Sequence, residues 1–536
     1  MQSYDDCYAQ HVVERPERYN FARDVIDTFS QEDEKHAAML WVDDSGNEIQ
    51  RSFADISEAS KRAANLLASA GVEPGETVIL VLGRQIAWWE LTTACIRAGF
   101  VVSAGTVQLA SNDIAYRINA SSAVAVVTDC ENAGKVDDVV AQCPSLKARV
   151  VVGGSREGWI DYDDELIGQS SDFCTVDSKL SDDMLCFFTS GTTGYPKMVV
   201  HSHGYALGHK ATGRYWLNAS PSDLHWNISD TGWAKAAWSS YFGPWSVGAQ
   251  IFVHHTNGFD PKQSLALLQK YPITTLCGAP TIYRMLVQQD LTAYDFKHLR
   301  HCVGAGEPLN PKVIDVWKSA TGITIRDGYG QSESVILCGS FPSLKPRPGS
   351  MGKPTPGVTL RILDEEGQIL AANIEGDIAV KVQPEPPMGL FKGYRMGDGK
   401  NEEVFVGGWY LTGDRAYRDE DGYFWFVGRS DDVILSAGYR IGPFEVESAL
   451  LEHPAVVESA VVSSPDEERG EVVKAFIVLA EEYEASDELI RVIQAHVKQV
   501  TAPYKYPRKI EFVPSLPKTV SGKIRRIELR DKEWDR

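Results

Sequence analysis

The chain contains 536 residues and carries a formal net charge of −20, with 53 Lys and Arg residues against 73 Asp and Glu residues. At roughly 150 residues per domain, this length allows three or four structural units and excludes one small module. The acidic balance disfavours nonspecific binding to nucleic acid or to anionic membranes, because phosphate affinity is built from cationic contacts. Any anionic ligand must therefore meet a local group of basic residues.

The N-terminal sequence MQSYDDCYAQ lacks the basic and then apolar pattern of a signal peptide. No apolar stretch approaches the ~20 residues that cross a bilayer. We therefore expect a cytoplasmic protein without stable membrane insertion. The nine cysteines include no C-x-x-C pair, which favours reduced, buried thiols over a disulfide framework or a zinc cluster.

The first 350 residues alternate helix-period segments with short β-branched runs. Residues 56–70 place apolar side chains on one face and end at Gly71, as expected for an amphipathic helix. The runs that predict strands are residues 77–82, 123–128, 149–152, 185–188, 250–254, 274–277 and 323–326. Runs that are apolar on both faces and separated by helices are typical of parallel sheets, so the predicted fold class is α/β.

After about residue 350 the strands become shorter and glycines more frequent, which indicates antiparallel hairpins with turns at residues 364–367 and 419–422. Beyond this region the pattern predicts helix 442–452, strands 456–463 and 474–479, helix 487–501 and strand 509–513. We predict a large domain over residues 1–430, including an antiparallel subdomain at about 350–430, and a small domain over 431–536. Residues 496–536 hold eleven Lys or Arg and five Asp or Glu, which makes this tail locally basic.

The strongest local motif is TSGTTGYPK at residues 189–197. Hydroxyl groups, backbone N–H groups left accessible by glycine, and a terminal lysine are suited to holding a polyphosphate. The motif is not a Walker A loop, because the G-x-x-x-x-G-K-[ST] spacing is absent. Residues 304–306 (GAG) likewise lack the third glycine of a dinucleotide fingerprint.

Further motifs follow in order: residues 304–309 (GAGEPL), 327–333 (DGYGQSE), 412–414 (TGD), 428–432 (GRSDD) and 517–524 (PKTVSGKI). With TSGTTGYPK they resemble the adenylate-forming superfamily of acyl-CoA synthetases, adenylation domains and luciferases. The resemblance runs from about residue 30 to the end and is strongest to the medium-chain acyl-CoA synthetases. One departure is Ser332, where threonine is usual; the hydroxyl group is retained.

The resemblance implies a large domain of two mostly parallel sheets with a β-barrel-like subdomain, and a small mobile α+β domain. It implies ATP, CoA and Mg²⁺ as cofactors, with Lys523, Glu333 and Thr189 as catalytic residues and Glu333 at the metal. The residues implied for ATP binding are Thr189, Ser190, Gly191, Thr192, Thr193, Gly194, Lys197, Gly306, Glu307, Pro308, Asp327, Gly328, Tyr329, Gly330, Gln331, Ser332, Asp414, Arg429 and Lys523.

The implied chemistry is consistent with these residue types. Adenylation converts a carboxylate into a mixed anhydride with AMP, and negative charge builds on the oxygens that Lys523 and Mg²⁺ would neutralise. Asp414 can accept hydrogen bonds from two ribose hydroxyl groups.

The resemblance also implies a second half-reaction, after the small domain rotates about the hinge residue Asp431. The residues implied for CoA binding are Ser436, Ala437, Gly438, Tyr439, Arg440, Arg469 and Lys505. Together with the basic tail, the cations in this set provide positive charge for CoA in an acidic chain.

The acyl pocket is assigned to Trp233, in the segment SDTGW, and to Gly304. Most of the nearby aromatic residues are expected in the core: Trp226, Trp238, Tyr241, Phe242 and Trp245. Bulky rings favour a short or branched apolar acid.

The predicted function is an AMP-forming acyl-CoA synthetase that acts on a small-molecule carboxylic acid of short to medium length; a homodimer is left open. The alternatives are an aryl-acid CoA ligase and a stand-alone adenylation enzyme that loads a carrier protein. Two more distant alternatives are a luciferase-like oxygenase and an inactive binding protein. A luminescence assay would test the first, and the intact Lys523 and phosphate-loop motif TSGTTGYPK disfavour the second.

Overall fold

The computed structural model describes residues 3–189, 196–395, 399–436, 439–466, 469–518 and 523–534. The strands in chain order are β1 Ala37–Asp43, β2 Glu48–Ser52, β3 Thr77–Val81, β4 Val101–Gly105, β5 Ala125–Asp129, β6 Ala148–Val152, β7 Ile160–Asp161, β8 Asp183–Thr189, β9 Lys197–Ser202, β10 Leu224–Ile228, β11 Gln250–His255, β12 Thr275–Gly278, β13 His301–Ala305, β14 Ile325–Tyr329, β15 Cys338–Gly339, β16 Lys353–Pro354, β17 Leu360–Leu363, β18 Gly376–Lys381, β19 Gly393–Arg395, β20 Phe405–Val406, β21 Trp409–Arg418, β22 Phe424–Arg429, β23 Ile434–Ser436, β24 Tyr439–Ile441, β25 Val456–Asp466, β26 Gly470–Leu479 and β27 Lys509–Phe512.

The α-helices are α1 Tyr4–Gln10, α2 Thr28–Glu32, α3 Phe53–Ser69, α4 Ile86–Arg97, α5 Ser111–Ser121, α6 Ala133–Asp137, α7 Tyr162–Gly168, α8 Gly204–Ala211, α9 Ala234–Ala237, α10 Gly243–Trp245, α11 Pro261–Lys270, α12 Pro280–Leu286, α13 Pro311–Thr321, α14 Lys400–Val404, α15 Pro443–Leu451, α16 Asp487–Val500 and α17 Arg526–Glu533. Residues Ala22–Asp27, Thr212–Trp216 and Trp238–Phe242 form π-helical turns, and Val140–Gln142 and Leu291–Ala293 form 3₁₀ turns.

Two large sheets carry most of the parallel pairing. One has the order β16-β15-β14-β13-β12-β10-β11-β1-β2 and is parallel from β14 to β1; the other has the order β19-β9-β8-β4-β3-β5-β6-β7 and is parallel from β8 to β7. Their central strands are buried on both faces, as β3 (TVILV) is along its whole length. The predicted α/β class is confirmed, because continuous apolar runs suit strands covered by helices on both sides.

The predicted elements agree with the structure apart from their ends. Helix α3 begins three residues before the predicted start, because Ser52 caps it and Asp55 completes a capping box. Strands β5, β12 and β14 each begin one or two residues later than their apolar runs. Hydrogen-bonded turns join residues 364–367 and 419–422, as predicted.

The aromatic residues between 226 and 245 lie in the core, as predicted. Tyr241 and Trp245 are fully buried, and the exposed fractions of Trp226, Trp238 and Phe242 are at most 4%. The indole of Trp245 donates a hydrogen bond to the carbonyl of Ala38 in β1 (3.0 Å). Buried indole N–H groups therefore have partners here, which fixes these rings in place.

Two further sheets are built from antiparallel neighbours. Strands β17-β18-β21-β20, with β22 beside β21, form the first, which is the expected antiparallel region. The second has the order β24-β23-β26-β25, with β27 parallel to β26, and has its own hydrophobic cluster around Ile434, Val461 and Ile477. The short hairpin β23–β24 and helix α17 were not predicted. The domain boundaries at 430 and 431 remain a prediction.

The described cysteines form no disulfide. No described helix combines the length and the apolarity that crossing a membrane requires.

Four buried histidines should make the protein less stable in mild acid. Burial lowers the pKa of His201 and His225 to about 3, and that of His203 and His301 to about 4. Between about pH 6.5 and 4 the unfolded chain binds protons that the folded chain does not, so stability falls as the pH falls. Each histidine contributes about 1.4 kcal/mol per pH unit at most. We expect the urea midpoint to decrease steadily from pH 7 to pH 5.

The His225→Gln variant tests this explanation. Its urea midpoint should depend less on pH than that of the unmodified protein, because one titrating group has been removed from the core. His298 is exposed, and His298→Gln is the matched control, with an unchanged pH dependence. Equal pH profiles for all three proteins would contradict the prediction.

Candidate active site

The residues predicted for ATP binding converge at one edge of the nine-stranded sheet. Strands β13 and β14 are parallel neighbours, and the segments 304–309 and 327–333 occupy their carboxyl ends. Crevices at the carboxyl ends of parallel strands are the usual ligand sites of open α/β sheets. The structure therefore brings these two motifs together, as their order along the chain predicted.

The phosphate-loop motif joins two antiparallel strands. Thr189 ends β8 and pairs with Lys197, the first residue of β9. The predicted residues Ser190, Gly191, Thr192, Thr193 and Gly194 lie outside the described residues. The ammonium group of Lys197 lies 5.4 Å from the ring centre of Tyr394, and burial lowers the pKa of this lysine.

The GAGEPL segment approaches the C-terminal lysine. Gly306 has φ +113°, and a Cβ atom built there would lie 3.9 Å from Cε of Lys523. Glu307, followed by Pro308, accepts hydrogen bonds from Thr281 (2.9 Å) and Arg284 (2.7 Å). Gly306 thus lies beside a lysine that is more than 200 residues away in the chain, and its positive φ favours glycine at this position.

The DGYG segment is held by tight packing. A Cβ atom at Gly328 would lie 2.5 Å from the Trp216 ring, and one at Gly330 would lie 2.5 Å from the Trp238 ring. Asp327 accepts hydrogen bonds from the backbone N–H groups of Gly328 and Leu309, yet its burial raises its pKa to about 7. The two glycines are therefore required by packing, whatever their role toward a ligand.

Asp414 lies at the centre of a hydrogen-bond cluster. Its Oδ2 atom accepts from the hydroxyl group of Tyr329 (2.6 Å) and from the amide group of Gln331 (2.7 Å). Arg429 lies 3.4 Å from its other oxygen. Burial raises the pKa of Asp414, and these three partners oppose the rise. Tyr329, Gln331, Asp414 and Arg429 are all predicted ATP-binding residues. Tyr329 and Asp414 are 85 residues apart in the chain, so the cluster joins distant segments.

Glu333 and Ser332 are held by residues of the β8–β9–β19 region. Glu333 accepts a hydrogen bond from the Tyr394 hydroxyl group (2.7 Å), and the carbonyl group of Ser332 is hydrogen-bonded to the His201 ring (2.7 Å). Burial raises the pKa of Glu333. Among the described residues no group of three or more His, Cys, Asp and Glu side chains could enclose a metal ion. A single carboxylate fits Mg²⁺ that takes its other ligands from phosphates and water.

Lys523 lies among charged groups of the large sheet region. Its side chain is still accessible to solvent, but the surrounding protein lowers the pKa of its ammonium group, and Arg429 acts in the same direction. Glu307 and Asp414 oppose this change. The lysine is therefore positioned among the predicted nucleotide-binding residues.

Two residues of the site were missed by sequence reasoning. Lys235 donates a hydrogen bond to the carbonyl group of Ala305 (3.0 Å) and, like Lys523, has a pKa lowered by burial. Tyr394 holds Glu333 as described above. Lys235 follows Trp233 by two residues, so the motif SDTGW pointed to its neighbourhood, whereas no pattern in the sequence singles out Tyr394.

Trp233 lines a small apolar cavity of about 20 Å³. The other residues that line it are Trp88, Thr92, Val102, Ala104, Leu185, Phe187, Thr231, Ala237, Tyr241 and Phe242. Gly304 is not among them; it faces Leu309 and Tyr283. Helix α4 and strands β4 and β8 therefore form the far wall, which sequence reasoning did not reveal.

The turn that carries Trp233 touches the eight-stranded sheet. A Cβ atom at Gly232 would lie 2.1 Å from the backbone nitrogen of Thr106, just after β4. Asp230 accepts hydrogen bonds from the Thr106 hydroxyl group (3.1 Å) and from the Gly232 backbone (2.8 Å). This close contact joins the two parallel sheets beside the cavity.

The residues predicted for CoA binding cluster at the β23–β24 hairpin, although Ala437 and Gly438 lie outside the described residues. Ser436 pairs with Gly470, which places Arg469 beside the hairpin. The ring of Tyr439 stacks on Tyr504, with centres 4.3 Å apart.

The cations of this cluster have carboxylate partners. Arg440 forms an ion pair with Glu365 of the antiparallel region (2.8 Å), and Lys505 forms one with Glu445. Any phosphate that binds Arg440 or Lys505 must compete with these carboxylates.

Asp431 lies two residues after the end of strand β22. Its carbonyl group accepts a hydrogen bond from Arg530 of helix α17, and its carboxylate lies 3.6 Å from Arg429. The predicted hinge residue therefore lies between the hydrogen-bond cluster at Asp414 and helix α17. Its role as a hinge remains a prediction.

Comparison with known proteins identifies the family of this chain. Residues 27–395 match the family described as AMP-binding enzyme, and residues 445–523 match the AMP-binding enzyme C-terminal domain. The chain belongs to the AMP-binding enzyme family. The sequence is 51% identical to the mitochondrial acyl-coenzyme A synthetase ACSM3 of Homo sapiens, over 97% of this chain and 90% of that protein. It is 50% identical to the Rattus norvegicus protein of the same name, over 99% and 93%.

Solved structures give the same result. An anthranilate CoA ligase, AuaEII, in complex with anthranoyl-AMP is 30% identical, with a TM-score of 0.89 over 97% of this chain and 98% of that one. An acyl-CoA synthetase from Brucella canis is 33% identical, with a TM-score of 0.78 over 100% and 99%. The expected fold, family and AMP-forming acid–CoA ligase class are confirmed, and ATP and CoA follow from that class.

One expectation is wrong on this comparison. The sequence led us to expect a cytoplasmic protein, whereas the ACSM3 proteins of Homo sapiens and Rattus norvegicus are both designated mitochondrial. The expectation rested on the lack of a signal-peptide pattern and of a membrane-spanning apolar stretch, and neither feature separates the cytoplasm from other compartments.

Replacing Gly232 with alanine should damage the contact between the sheets. The added methyl group would overlap the Thr106 backbone, and overpacking of this kind costs about 1–3 kcal/mol or more. We expect Gly232→Ala to lower the thermal midpoint by several degrees or to accumulate in insoluble form. Gly258 has open space around it, so Gly258→Ala is the matched control and should melt normally. Equal melting of the two variants would contradict this role.

Proposed function

We propose that this enzyme activates a short- to medium-chain apolar carboxylic acid and transfers it to CoA through an acyl-adenylate, using the residues described above. The observation that carries the proposal is the position of Lys523 against Gly306 and near Asp414. A carboxylate oxygen attacks the α-phosphorus of ATP and pyrophosphate leaves. The CoA sulfur then attacks the acyl carbon and AMP leaves.

In the first step, the proposed role of Lys523 is to offset charge that develops on the carboxylate and α-phosphate oxygens. Its lowered pKa reflects incomplete solvation, and a poorly solvated ammonium group interacts strongly with an incoming anion. Asp414 is proposed to accept from the ribose hydroxyl groups in exchange for its present donors, Tyr329 and Gln331. Thr189 and Lys197 are proposed to hold phosphate oxygens at the ends of the phosphate-loop motif.

Mg²⁺ is proposed to bind at Glu333, where it would neutralise the pyrophosphate leaving group. The support comes from the donor set: one partly enclosed carboxylate, held in orientation by the Tyr394 hydroxyl group. The hydrogen bond from Tyr394 favours the ionised form of Glu333, which is the form a cation requires.

The acid is proposed to bind beside Trp233. The cavity there has room for a group about the size of one water molecule, and its lining is apolar. A methyl-sized group could therefore enter as the cavity stands, a short or branched acid would need the smallest side-chain displacements, and longer chains would need larger ones. The apolar lining favours an aliphatic acid.

The second step is proposed to follow rotation about Asp431, which would bring the β23–β24 hairpin to the acyl-adenylate. Arg440 belongs to this hairpin, Arg469 precedes the residue that pairs with Ser436, and Lys505 follows the Tyr504 ring that stacks on Tyr439. These cations are suited to the phosphates of CoA. In the present arrangement Arg440 is bound to Glu365, so the rotation would exchange a carboxylate partner for a phosphate. Such surface ion pairs are weak, and the exchange is therefore readily reversible.

Removing Lys523 should separate the two half-reactions. We expect Lys523→Ala to slow acyl-adenylate formation by about 10²–10³-fold, because losing an interaction with developing charge costs about 3–4 kcal/mol. Thioester formation from presynthesised acyl-adenylate should change little. Lys518 belongs to the same motif and pairs with Glu458, so Lys518→Ala is the control. Equal loss in both half-reactions would overturn the assignment to the first step.

Replacing Arg469 should weaken CoA binding selectively. The KM for CoA is expected to rise several-fold in Arg469→Ala and to rise with salt in the unmodified enzyme, because contacts between exposed charges are screened. The KM values for ATP and acid should remain unchanged. Arg491 is an exposed arginine of α16, and Arg491→Ala is the matched control. A changed KM for ATP in place of CoA would reassign Arg469.

Removing Trp233 should shift the preferred acid. Trp233→Ala deletes one wall of the cavity, so longer or bulkier acids should be favoured; each methylene group is worth only ~1–3 kcal/mol in such a pocket. The measurement is AMP release, with and without CoA, across straight, branched and aromatic acids of two to ten carbons. This panel also separates a CoA ligase from an enzyme that only forms adenylates. An unchanged profile in a folded variant would make Trp233 a core residue.

A further inference from the structure

A second, larger cavity lies outside the ATP cluster and the acyl cavity. It has a volume of about 320 Å³ and lies between the N-terminal segment, helix α8 with the π-helical turn after it, and the turn at residues 355–358. This volume is within the range of small-molecule sites. None of the residues assigned above to ATP, CoA or the acid lines it.

The N-terminal wall of the cavity is firmly attached. The hydroxyl groups of Tyr4 and Tyr8 donate to the carbonyl groups of Pro354 (2.7 Å) and Val358 (2.8 Å), respectively. Farther along the N-terminal segment, the His11 ring is hydrogen-bonded to the Tyr215 hydroxyl group (3.3 Å). Since the segment is held at several points, the cavity is a feature of the fold and not a gap under a loose end.

Two cations stand together at this cavity. Lys210, near the end of α8, and Arg214, four residues later in the π-helical turn, both line it. Both are exposed, and neither has an ion pair with a carboxylate in the part of the chain that the structure describes. Like charges at this spacing on helical backbone repel each other. Burial lowers the pKa of His11, which also lines the cavity, and the charges of Arg214 and Lys210 lower it further.

The remaining lining is mixed. Apolar contacts are available from Val12, Val13, Leu207, Val335, Val358 and Met388, and the one carboxylate among the lining residues is Glu14. Thr355 is almost fully buried, and its hydroxyl group has no hydrogen-bond partner among the described residues. A buried hydroxyl group without a partner is costly, so a polar ligand atom would stabilise it.

We propose that this cavity binds a small organic anion with a short apolar group. Its charged group would lie between Lys210 and Arg214, and its apolar part would contact Leu207 and Val335. The anionic group removes the repulsion between the two cations, and the apolar part covers surface that is otherwise accessible to water. The residues of this site differ from those proposed to act in catalysis, although Val335 is only two residues from Glu333.

The test measures binding of 1-hexanesulfonate by titration calorimetry. The enzyme is first saturated with butyryl-sulfamoyl-adenosine, so that the acyl and nucleotide sites are filled and cannot take up the probe. We expect one saturable site per chain whose affinity falls as salt is added. Inorganic sulfate and 1-hexanol, which represent the two halves of the probe, should each bind at least tenfold more weakly.

Three variants identify the site. Lys210→Gln with Arg214→Gln should weaken hexanesulfonate binding at least tenfold, and Val12→Glu, at an exposed position on the rim, should weaken it several-fold. Lys262→Gln with Lys297→Gln removes the same charge from exposed positions elsewhere and should leave binding intact. Since all these side chains except that of Val12 are exposed polar groups, and Val12 is 79% exposed, the variants should fold normally.

Several results would overturn the proposal. These are the absence of saturable binding to the saturated enzyme, equal binding by the Lys210/Arg214 variant and its control, and sulfate binding as tight as hexanesulfonate binding. Because acyl-CoA formation is not measured here, these results are independent of whether the proposed catalytic roles are correct.

Discussion

The close approach of Gly232 to Thr106 is the contact on which the arrangement of this enzyme depends. It joins the turn after β10, in the nine-stranded sheet, to the end of β4, in the eight-stranded sheet. No side chain larger than hydrogen fits there, so the residue type is dictated by distance alone. With this contact in place, Trp233 beside one sheet and helix α4 beside the other enclose the small apolar cavity.

Charge burial is the second organising constraint. The carboxylates of Asp327, Glu333 and Asp414 all have pKa values raised by burial, while burial lowers the pKa of Lys235 and Lys523. Buried charges of both signs are costly unless they meet partners. Their concentration at one crevice is typical of a site that receives a charged ligand. A chain with a net charge of −20 thus presents local cations at the crevice.

The ion pair between Arg440 and Glu365 links the C-terminal sheet to the antiparallel region near residue 365. Both side chains are largely exposed, so the pair has a modest energy and is screened by salt. The hydrogen bond from Arg530 to the carbonyl group of Asp431 ties the last helix to the predicted hinge. Contacts of this strength are compatible with the rotation about Asp431 proposed above.

The sequence alone determined the α/β class and, to within a few residues, the strands β3, β5, β6, β8, β11, β12 and β14. It also singled out the motif residues that meet around Asp414. It could do so because the period of apolar residues along a segment indicates which of its side chains are buried. Segments rich in glycine, proline and hydroxyl groups also form few kinds of structure. It did not reveal Tyr394, Lys235, helix α4 as a wall of the acyl cavity, or the separation of Gly304 from that cavity. These depend on contacts between segments that are distant in the chain, and such contacts leave no local pattern. The tertiary structure decided them because packing of the two parallel sheets sets which side chains meet at the crevice.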